Sequence, residues 1–411
     1  MRAALIALLA LAVAPAAAGA APWSAPRSVT VSGLSREPAV ALGGPDAAAV
    51  AYVRHISGAD RVELRPGTVD RLRTPVIVDR DARHGLDSPT LTYRGHQTLL
   101  VWRRFHDANT RLLELTSVSP AGTASTPRAI TGPPNAYSPA FVTPELLTFW
   151  RRTSAYTVAV AGGGTAAKTR LPSGAAFESE VAALPDGTLV AVWPTGGAIF
   201  ATTRAPGATS FGATTRLSAP GGFARSPHLA FTPDGHTVAV WTQADGTGRA
   251  LVSAARPPGG AFGAPVQVLP SSAQVLTVRA LGSSAGDVLV TYVSAQATSP
   301  AGPLSALRLG PDGQRTTPVR SLTPTGERTR DASLAADNSA AYATWVTAGT
   351  GHHVARVVRI AGSIVGTVRT ISGSDGAVAA PPAFAMSPRG RALIAYATTS
   401  GRIRLVTRRA G

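Results

Sequence analysis

The sequence predicts an all-β fold, a single β-propeller with eight four-stranded blades. Three observations predict it: a repeat of roughly fifty residues, strand-forming runs without a helical period, and a first strand that matches the last strand of an internal repeat. A repeat with a period of 20 to 50 residues is typical of propellers and solenoids, and short β-rich runs favour the propeller. Seven blades remain the alternative if one weak repeat is an insertion.

Each repeat begins with a Ser–Pro or similar pair and ends its second predicted strand on an aromatic residue. Clear copies run from Ser88–Pro89 to Trp102 and from Ser226–Pro227 to Trp241. The eight predicted aromatic anchors, 43 to 53 residues apart, are Tyr52, Trp102, Trp150, Trp193, Trp241, Tyr292, Trp345 and Tyr396. Pro-Asp-Gly turns, such as Pro233–Gly235, separate the first two strands, because Asp-Gly readily adopts tight hairpin turns.

The two ends of the chain predict how the ring closes. The segment Trp23–Val29 resembles Phe262–Val268, the last strand of an internal repeat, whereas the final repeat stops after its third strand, Arg402–Thr407. We therefore expect the N-terminal strand to complete the last blade, which removes two open sheet edges at once.

The first twenty residues have the pattern of a secretory signal peptide. Arg2 supplies a positive charge, Ala3–Val13 is apolar, and Ala18–Ala20 offers a small-residue cleavage site. We therefore expect a signal peptide at residues 1–20, a propeller domain at residues 21–411, and a secreted or extracytoplasmic protein. No later segment is long and apolar enough to predict a transmembrane helix. The chain contains no cysteine, so neither a cysteine-linked lipid at the N-terminus nor a disulfide is expected.

The formal net charge is +17, carried almost entirely by arginine in a composition typical of a GC-rich bacterial genome. Such a charge suggests polyanionic partners, but a genome-wide arginine bias is the preferred explanation, because the arginines form no long basic run. Nucleic acid is the least favoured partner, because the aromatic residues are interpreted as blade anchors and not as stacking platforms.

The hairpin and the strand that closes in tryptophan, as in Thr232–Trp241, resemble the secreted bacterial β-propellers with WD40-like, TolB-like or sialidase-like repeats. The sialidase Asp-box differs, because there Asp and Gly are separated and the Trp follows sooner. The resemblance implies the fold and leaves the function open, since this fold serves unrelated functions.

One position in the repeat varies while its surroundings recur. The residue ahead of each Ser–Pro-like pair is predicted to surround the mouth of the central channel; these residues are Arg36, Asp87, Tyr137, Glu178, Arg225, Thr277, Arg330 and Ala380. A constant scaffold with one variable polar position is what a ligand-reading ring would have, and solvated loop ends are the alternative. From this ring we take Arg36, Asp87, Tyr137, Glu178, Arg225 and Arg330 as candidate ligand-binding residues.

Arginines also follow the anchors of the first three repeats. Arg54, Arg103–Arg104 and Arg151–Arg152 are predicted to form a one-sided basic patch on the channel-mouth face, near Arg36. Guanidinium groups suit carboxylate, sulfate or phosphate. The alternative is that these charges protect strand edges.

Signals for catalysis or metal binding are few. Asp79, Asp81, His84 and Asp87 have ligand-type side chains within nine positions, a density common in polar loops, and His352–His353 has no partner pattern. We predict no metal and no cofactor.

We therefore favour an exported binding or scaffold module for a protein or an anionic glycan of the cell envelope, monomeric and without catalytic activity. The alternative is a glycan-active hydrolase or lyase that uses channel-mouth carboxylates such as Asp87 and Glu178, together with the arginines.

Overall fold

The computed structural model describes residues 22–30, 33–107, 110–131, 136–151, 154–160, 168–172, 174, 178–294, 301–348, 353–374 and 376–410. The predicted signal peptide, residues 1–20, lies outside the described residues. Within these ranges no helix is long and apolar enough to cross a membrane. The one helical segment described is the 3-10 turn Ser271–Ala273.

Strands β1 to β33 form eight antiparallel sheets, as the sequence predicts. The first strand is β1 (Arg27–Ser28). Blades one to four are built from β2 (Leu34–Leu42), β3 (Ala47–Ile56), β4 (Ala59–Thr68), β5 (Val76–Asp81); β6 (Leu86–Arg94), β7 (Gln97–Phe105), β8 (Arg111–Val118), β9 (Arg128–Ala129); β10 (Ala136–Thr143), β11 (Leu146–Arg151), β12 (Ser154–Ala159), β13 (Lys168–Arg170); and β14 (Glu180–Ala183), β15 (Leu189–Thr195), β16 (Ala198–Arg204), β17 (Thr215–Arg216).

Blades five to eight continue the same order, and blade seven carries one additional short strand. Their strands are β18 (Phe223–Phe231), β19 (Thr237–Ala244), β20 (Arg249–Arg256), β21 (Val266–Leu269); β22 (Val275–Gly282), β23 (Val288–Ser294), β24 (Leu304–Leu309), β25 (Arg320–Ser321); β26 (Ala332–Ala336), β27 (Ala341–Val346), β28 (Ala355–Ala361), β29 (Ile364–Val365), β30 (Arg369–Thr370); and β31 (Ala383–Met386), β32 (Ala392–Ala397), β33 (Ile403–Arg408).

The first strands of the blades contact one another in a closed circle. Contacts run from β2 through β6, β10, β14, β18, β22 and β26 to β31, and β31 contacts β2 again. These strands therefore line the central channel, and each later strand of a blade lies farther out. The count of eight blades removes the seven-blade alternative.

The N-terminal segment completes the last blade, as predicted. Strand β1 pairs with β33, with Arg27 opposite Leu405, and Trp23 forms a further bridge to Arg408. Val29 is 3% exposed and packs with apolar residues of blades one and eight. The closure therefore joins residues almost 380 positions apart in the sequence.

The predicted anchors are buried between neighbouring blades, with one correction. Tyr52, Trp102, Trp193, Trp241, Trp345 and Tyr396 are at most 1% exposed. In blade three the anchor is Phe149, because Tyr137 pairs with Trp150 where Asp87 pairs with Arg103 in blade two. Phe149 is fully buried, and Trp150 takes the position of Arg103. Two adjacent aromatic residues made the anchor ambiguous, and the strand register resolves it.

Candidate functional site

The predicted ring residues lie at the starts of the innermost strands, on one face of the propeller. Each innermost strand enters from this face, and the second strand returns to it after the hairpin on the opposite face. The loops that follow the anchors therefore share the face with Arg36, Asp87 and Tyr137, as predicted. We call it the channel-mouth face; the hairpin face lies opposite.

In blade one the arginines of this face are bound to carboxylates of the same blade. The Arg54 guanidinium lies 3.2 Å from Oε1 of Glu63, and the Tyr52 hydroxyl donates a hydrogen bond to Oε2 of Glu63 (2.9 Å). Glu63 is 1% exposed, and burial raises the pKa of Tyr52 well above its ordinary value. Arg36 donates to Oδ2 of Asp60 at 2.8 Å. These side chains therefore form a network of ion pairs and hydrogen bonds below the channel mouth.

The carboxyl of Asp60 is a junction between blades one and two. It accepts hydrogen bonds from Arg36, from Nδ1 of His55 (2.9 Å) and from the backbone N–H of Leu86 (3.2 Å). Burial alone would raise its pKa, but these hydrogen bonds outweigh burial and lower the pKa below the ordinary value. Arg36 is thereby held by an internal carboxylate, although its side chain is 44% exposed.

Asp87, Arg103 and Tyr137 come together between blades two and three. Asp87 receives two hydrogen bonds from the Arg103 guanidinium, which also lies 5.4 Å from the Tyr137 ring centroid. Arg111 stacks on the other aromatic of the group, Phe105, at 4.9 Å and donates to the Tyr137 hydroxyl at 2.6 Å. The cluster alternates cations and aromatic rings, and its bidentate ion pair neutralises Arg103.

The candidate metal ligands of the loop between blades one and two are engaged in protein contacts. Asp79 accepts a hydrogen bond from Nε1 of Trp102 (2.8 Å) and pairs with Arg104 at 3.2 Å. Asp81 accepts the backbone N–H groups of Arg83 and His84, at 2.7 and 3.0 Å. Among the described residues no group of three His, Asp or Glu side chains could hold a metal ion.

Glu178 lies one position away from where the repeat alignment predicts it, and this part of the alignment is wrong. Glu180 pairs with Val192 just as His228 pairs with Val240, so Glu178 corresponds to Ser226 and not to Arg225. The backbone φ of Glu178 is +69° and that of Ser226 is +51°, the left-handed conformation of this bulge. No proline follows Glu178, so the sequence leaves the register of this repeat uncertain by one residue.

Two glutamates at this bulge position connect neighbouring blades. Oε2 of Glu178 accepts the backbone N–H of Ser226 in blade five (2.9 Å), and Glu37 accepts the backbone N–H of Ser88 in blade two. Burial raises the pKa of Glu37 above its ordinary value, although the Ser88 N–H opposes this. Glu178 therefore holds two blades together at the mouth, and Glu37 does the same.

The remaining candidate residues are the two arginines after the blade-three anchor and the two ring arginines of blades five and seven. Arg151 ends β11, where its charge contributes to a lowered pKa of Lys168 after the larger effect of burial. Arg152 lies outside the described residues. Arg225 and Arg330 are exposed on the channel-mouth face; Arg225 lies 4.5 Å from the Phe223 ring, and neither guanidinium has an ion-pair or hydrogen-bond partner among the described residues.

A line of charged groups across blades four to seven was not predicted from the sequence. Nδ1 of His228 lies 2.9 Å from Oε2 of Glu180, and its Nε2 lies 2.6 Å from Nη1 of Arg279. Arg279 in turn pairs with Asp331. Because the guanidinium only donates, Nε2 accepts and Nδ1 carries the ring proton.

These residues occupy one repeat position that is small in the other blades. The position pairs with the residue before the anchor and holds Ala39, Thr90, Ala140, Glu180, His228, Arg279, Ser333 and Ala383. An alignment on this column, two or three residues after the predicted ring residues, would have found them. A cavity of about 520 Å³ is lined by Glu178, Glu180, His228 and Arg279.

Comparison with known proteins concerns the fold. No protein-family model matches the chain, and no curated protein matches it. The Dos1 propeller matches with a TM-score of 0.58 and 11% identity, covering 94% of this chain and 95% of that one. The β-propeller domain of the Trilobed protease from Pyrococcus furiosus matches with a TM-score of 0.49 and 10% identity, covering 80% of this chain and 96% of that one. The WD40 domain of Toxoplasma gondii coronin matches with a TM-score of 0.48 and 10% identity, covering 76% of this chain and 79% of that one. By its topology and its similarity to the Dos1 structure, this chain is an eight-bladed β-propeller.

Proposed function

We propose that the chain is an exported binding or scaffold module that takes an anionic partner, a glycan or an acidic protein surface, on its channel-mouth face. The observation that carries the proposal is the contrast between its arginines. Arg54, Arg103 and Arg104 are paired with carboxylates of the protein, whereas Arg225 and Arg330 are exposed without such a partner in the described residues. Unpaired exposed guanidinium groups are available to carboxylate, sulfate or phosphate.

The contacts of the carboxylates favour binding over catalysis. A general acid or base must reach a substrate proton, and Asp87 is held by Arg103 while Glu178 is held by Ser226. Residues 1–20 as a signal peptide, residues 21–411 as one domain, and a monomeric state belong to the same proposal.

The test measures binding of the purified chain to neutral and acidic glycans and acidic peptides, at low and high salt. We expect salt-sensitive binding to acidic members, weakened by roughly tenfold for each arginine in an Arg225→Ala/Arg330→Ala variant. The matched control is Arg315→Ala/Arg389→Ala, which removes the same charge from exposed positions at the hairpin face. Equal losses in both variants, or equal binding of neutral members, would contradict the proposal.

A glycan-active enzyme is the second candidate, and the carboxylate of Glu180 in the 520 Å³ cavity favours it. Nε2 of His228 already accepts from Arg279, so the candidate general base is Glu180, whose contacts with His228 and with the N–H of Leu229 both use Oε2. The same panel is therefore assayed for turnover. Cleavage that Glu180→Gln abolishes while binding persists would support an enzyme, and no cleavage of any member would count against it.

A further inference from the structure

A second cavity, of about 480 Å³, opens on the channel-mouth face between blades seven and eight. One wall is the segment that leads into β26 and contains Arg328 and Arg330; the facing walls include His353 from blade seven and residues 378–381 before β31. It adjoins the charged line described above, because Asp331 at the end of the first wall pairs with Arg279.

The wall that carries the two arginines is fixed on both sides. Thr329 exchanges backbone hydrogen bonds with Gly302 (2.8 and 2.9 Å), and the N–H of Ala348 donates to the Arg328 carbonyl at 2.6 Å. Thr329 is 1% exposed, so it points inward. In an extended segment residues two apart share a side, and Arg328 and Arg330 therefore both point outward. The pair is presented by backbone that needs no rearrangement.

The acidic residues next to this pair are directed elsewhere. Glu327 pairs with Arg356, and Asp331 pairs with Arg279. Neither Arg328 nor Arg330 has a side-chain partner among the described residues. Two guanidinium groups of like charge therefore lie on one wall, and no carboxylate of the described residues is paired with either of them, an arrangement that an anion stabilises.

His353 contributes an oriented nitrogen. Its Nδ1 lies 2.5 Å from the carbonyl oxygen of Thr347, which only accepts, so Nδ1 carries the proton and Nε2 is the nitrogen left for a ligand. In the imidazolium form Nε2 also donates. Of the residues that the structure describes, the ionisable groups lining the cavity are Arg328, Arg330, Asp331 and His353, and residues 378–381 are all apolar.

We propose that this cavity binds the oxyanion group of an acidic glycan, a sulfate ester or a uronate carboxylate, through Arg328 and Arg330. The inference rests on the proposed function and gives it a site and a ligand chemistry. Planar guanidinium groups recognise both oxyanions by paired hydrogen bonds, and apolar atoms of Val378, Ala379 and Pro381 border the space beside them. The volume exceeds that of one oxyanion, so part of the attached sugar fits as well.

Calorimetric titration of the full chain with sodium sulfate and with glucuronate tests the proposal, with glucose and chloride as reference solutes. Arg328→Ala and Arg330→Ala are each expected to weaken sulfate or glucuronate binding by roughly tenfold. Arg330→Lys keeps the positive charge but loses the planar guanidinium, so its affinity should lie between those of the wild type and Arg330→Ala. The control Arg315→Ala/Arg389→Ala should bind as the wild type does. Thermal melts of every variant establish that the fold is retained.

The outcomes separate this inference from the proposed function. A higher affinity for one of the two solutes, sulfate or glucuronate, that is lost in Arg328→Ala supports the cavity assignment and identifies the preferred oxyanion. If Arg328→Ala leaves both affinities unchanged, or the wild type binds neither solute, the cavity assignment is overturned even where acidic polymers still bind elsewhere on the face. If acidic polymers also fail to bind, the proposed function falls with it.

The His353→Gln variant gives an independent readout. It removes the Nε2 nitrogen that lines the cavity, so sulfate affinity at a fixed pH should fall. Unchanged affinity in that variant would remove His353 from the site.

Discussion

At the scale of single residues, the large positive charge does not make every arginine a ligand-binding group. On blades one and two the arginines of the channel-mouth face meet carboxylates: Arg54 meets Glu63, Arg103 meets Asp87, and Arg104 lies near Asp79. A guanidinium that already holds a bidentate or buried carboxylate has little capacity for an external anion. The same residue type is therefore structural in blades one and two and exposed in blades five and seven.

The most buried of these carboxylates offers a test of the structural interpretation. Glu63→Ala removes the acceptor of Arg54 and of the Tyr52 hydroxyl, and leaves both polar groups in a buried setting. We expect a loss of about 3 kcal/mol in the free energy of unfolding, measured by urea titration. Glu145→Ala, on an exposed turn of blade three, is the control. A loss below about 1 kcal/mol for Glu63→Ala would mean that the contact is dispensable.

At the scale of strands, the blades are linked by a bulge and by the N-terminal strand. The non-glycine residues at φ near +50° in the innermost strands, Glu37, Ser88, Ser138 and Ser226, mark a bulge that turns the strand into the mouth. Glu37 and Glu178 bond to the bulge of the following blade, so adjacent blades are held in register there. Strand β1 makes the corresponding link between the two ends of the chain.

If β1 closes the ring, a charge introduced at buried Val29 should destabilise the protein far more than the same charge at an exposed valine. Val29→Asp places a charge among Leu393, Leu405 and other apolar residues, whereas Val319→Asp adds the same charge at a position that is 37% exposed in blade six. We expect Val29→Asp to cost at least about 3 kcal/mol, because an unpaired charge would be buried. Urea unfolding and size-exclusion chromatography measure the loss and any edge-to-edge association. Equal stability of the two variants would show that β1 does not close the ring.

At the scale of the whole molecule, a ring without disulfides depends on apolar packing between blades and on buried ion pairs across them. Large aromatic anchors such as Trp102, Trp193 and Trp241 have no exposed surface. Asp337, in the hairpin of blade seven, lies 3.3 Å from Arg408 in β33, which also stacks on Tyr342 at 5.1 Å. The pair therefore joins the last two blades at the hairpin face.

The ion pair of Asp337 with Arg408 predicts that the free energy of unfolding falls at acid pH. Burial would raise the pKa of Asp337, but hydrogen bonds from Ser339, Ala340 and Arg408 outweigh it and lower the pKa below 3.8. Asp337 therefore binds fewer protons in the folded state than in the unfolded state. Its contribution to stability is complete at pH values above its ordinary pKa of 3.8, and it is lost as the pH falls through the lower pKa of the folded state. Unfolding free energies of the wild type and Asp337→Asn, measured from about pH 6 to about pH 2.5, should differ most at the upper end and converge at the lower. A constant difference would contradict the assignment.

The repeat, the eight blades, the turn positions and the N-terminal closure could be predicted from the sequence, because strand periodicity, Asp-Gly turns and buried anchors are local properties that recur at each copy. The repeat alignment also predicted that Arg36, Asp87 and Tyr137 lie on one face. Which charges are paired and which are available could not be predicted, because an ion pair such as Arg103 with Asp87, or the line from Glu180 through His228 to Arg279, depends on the strand register and on the approach of neighbouring blades. Glu178 and Trp150 show the limit: a shift of one residue in register changes which side chain is buried and which reaches the next blade.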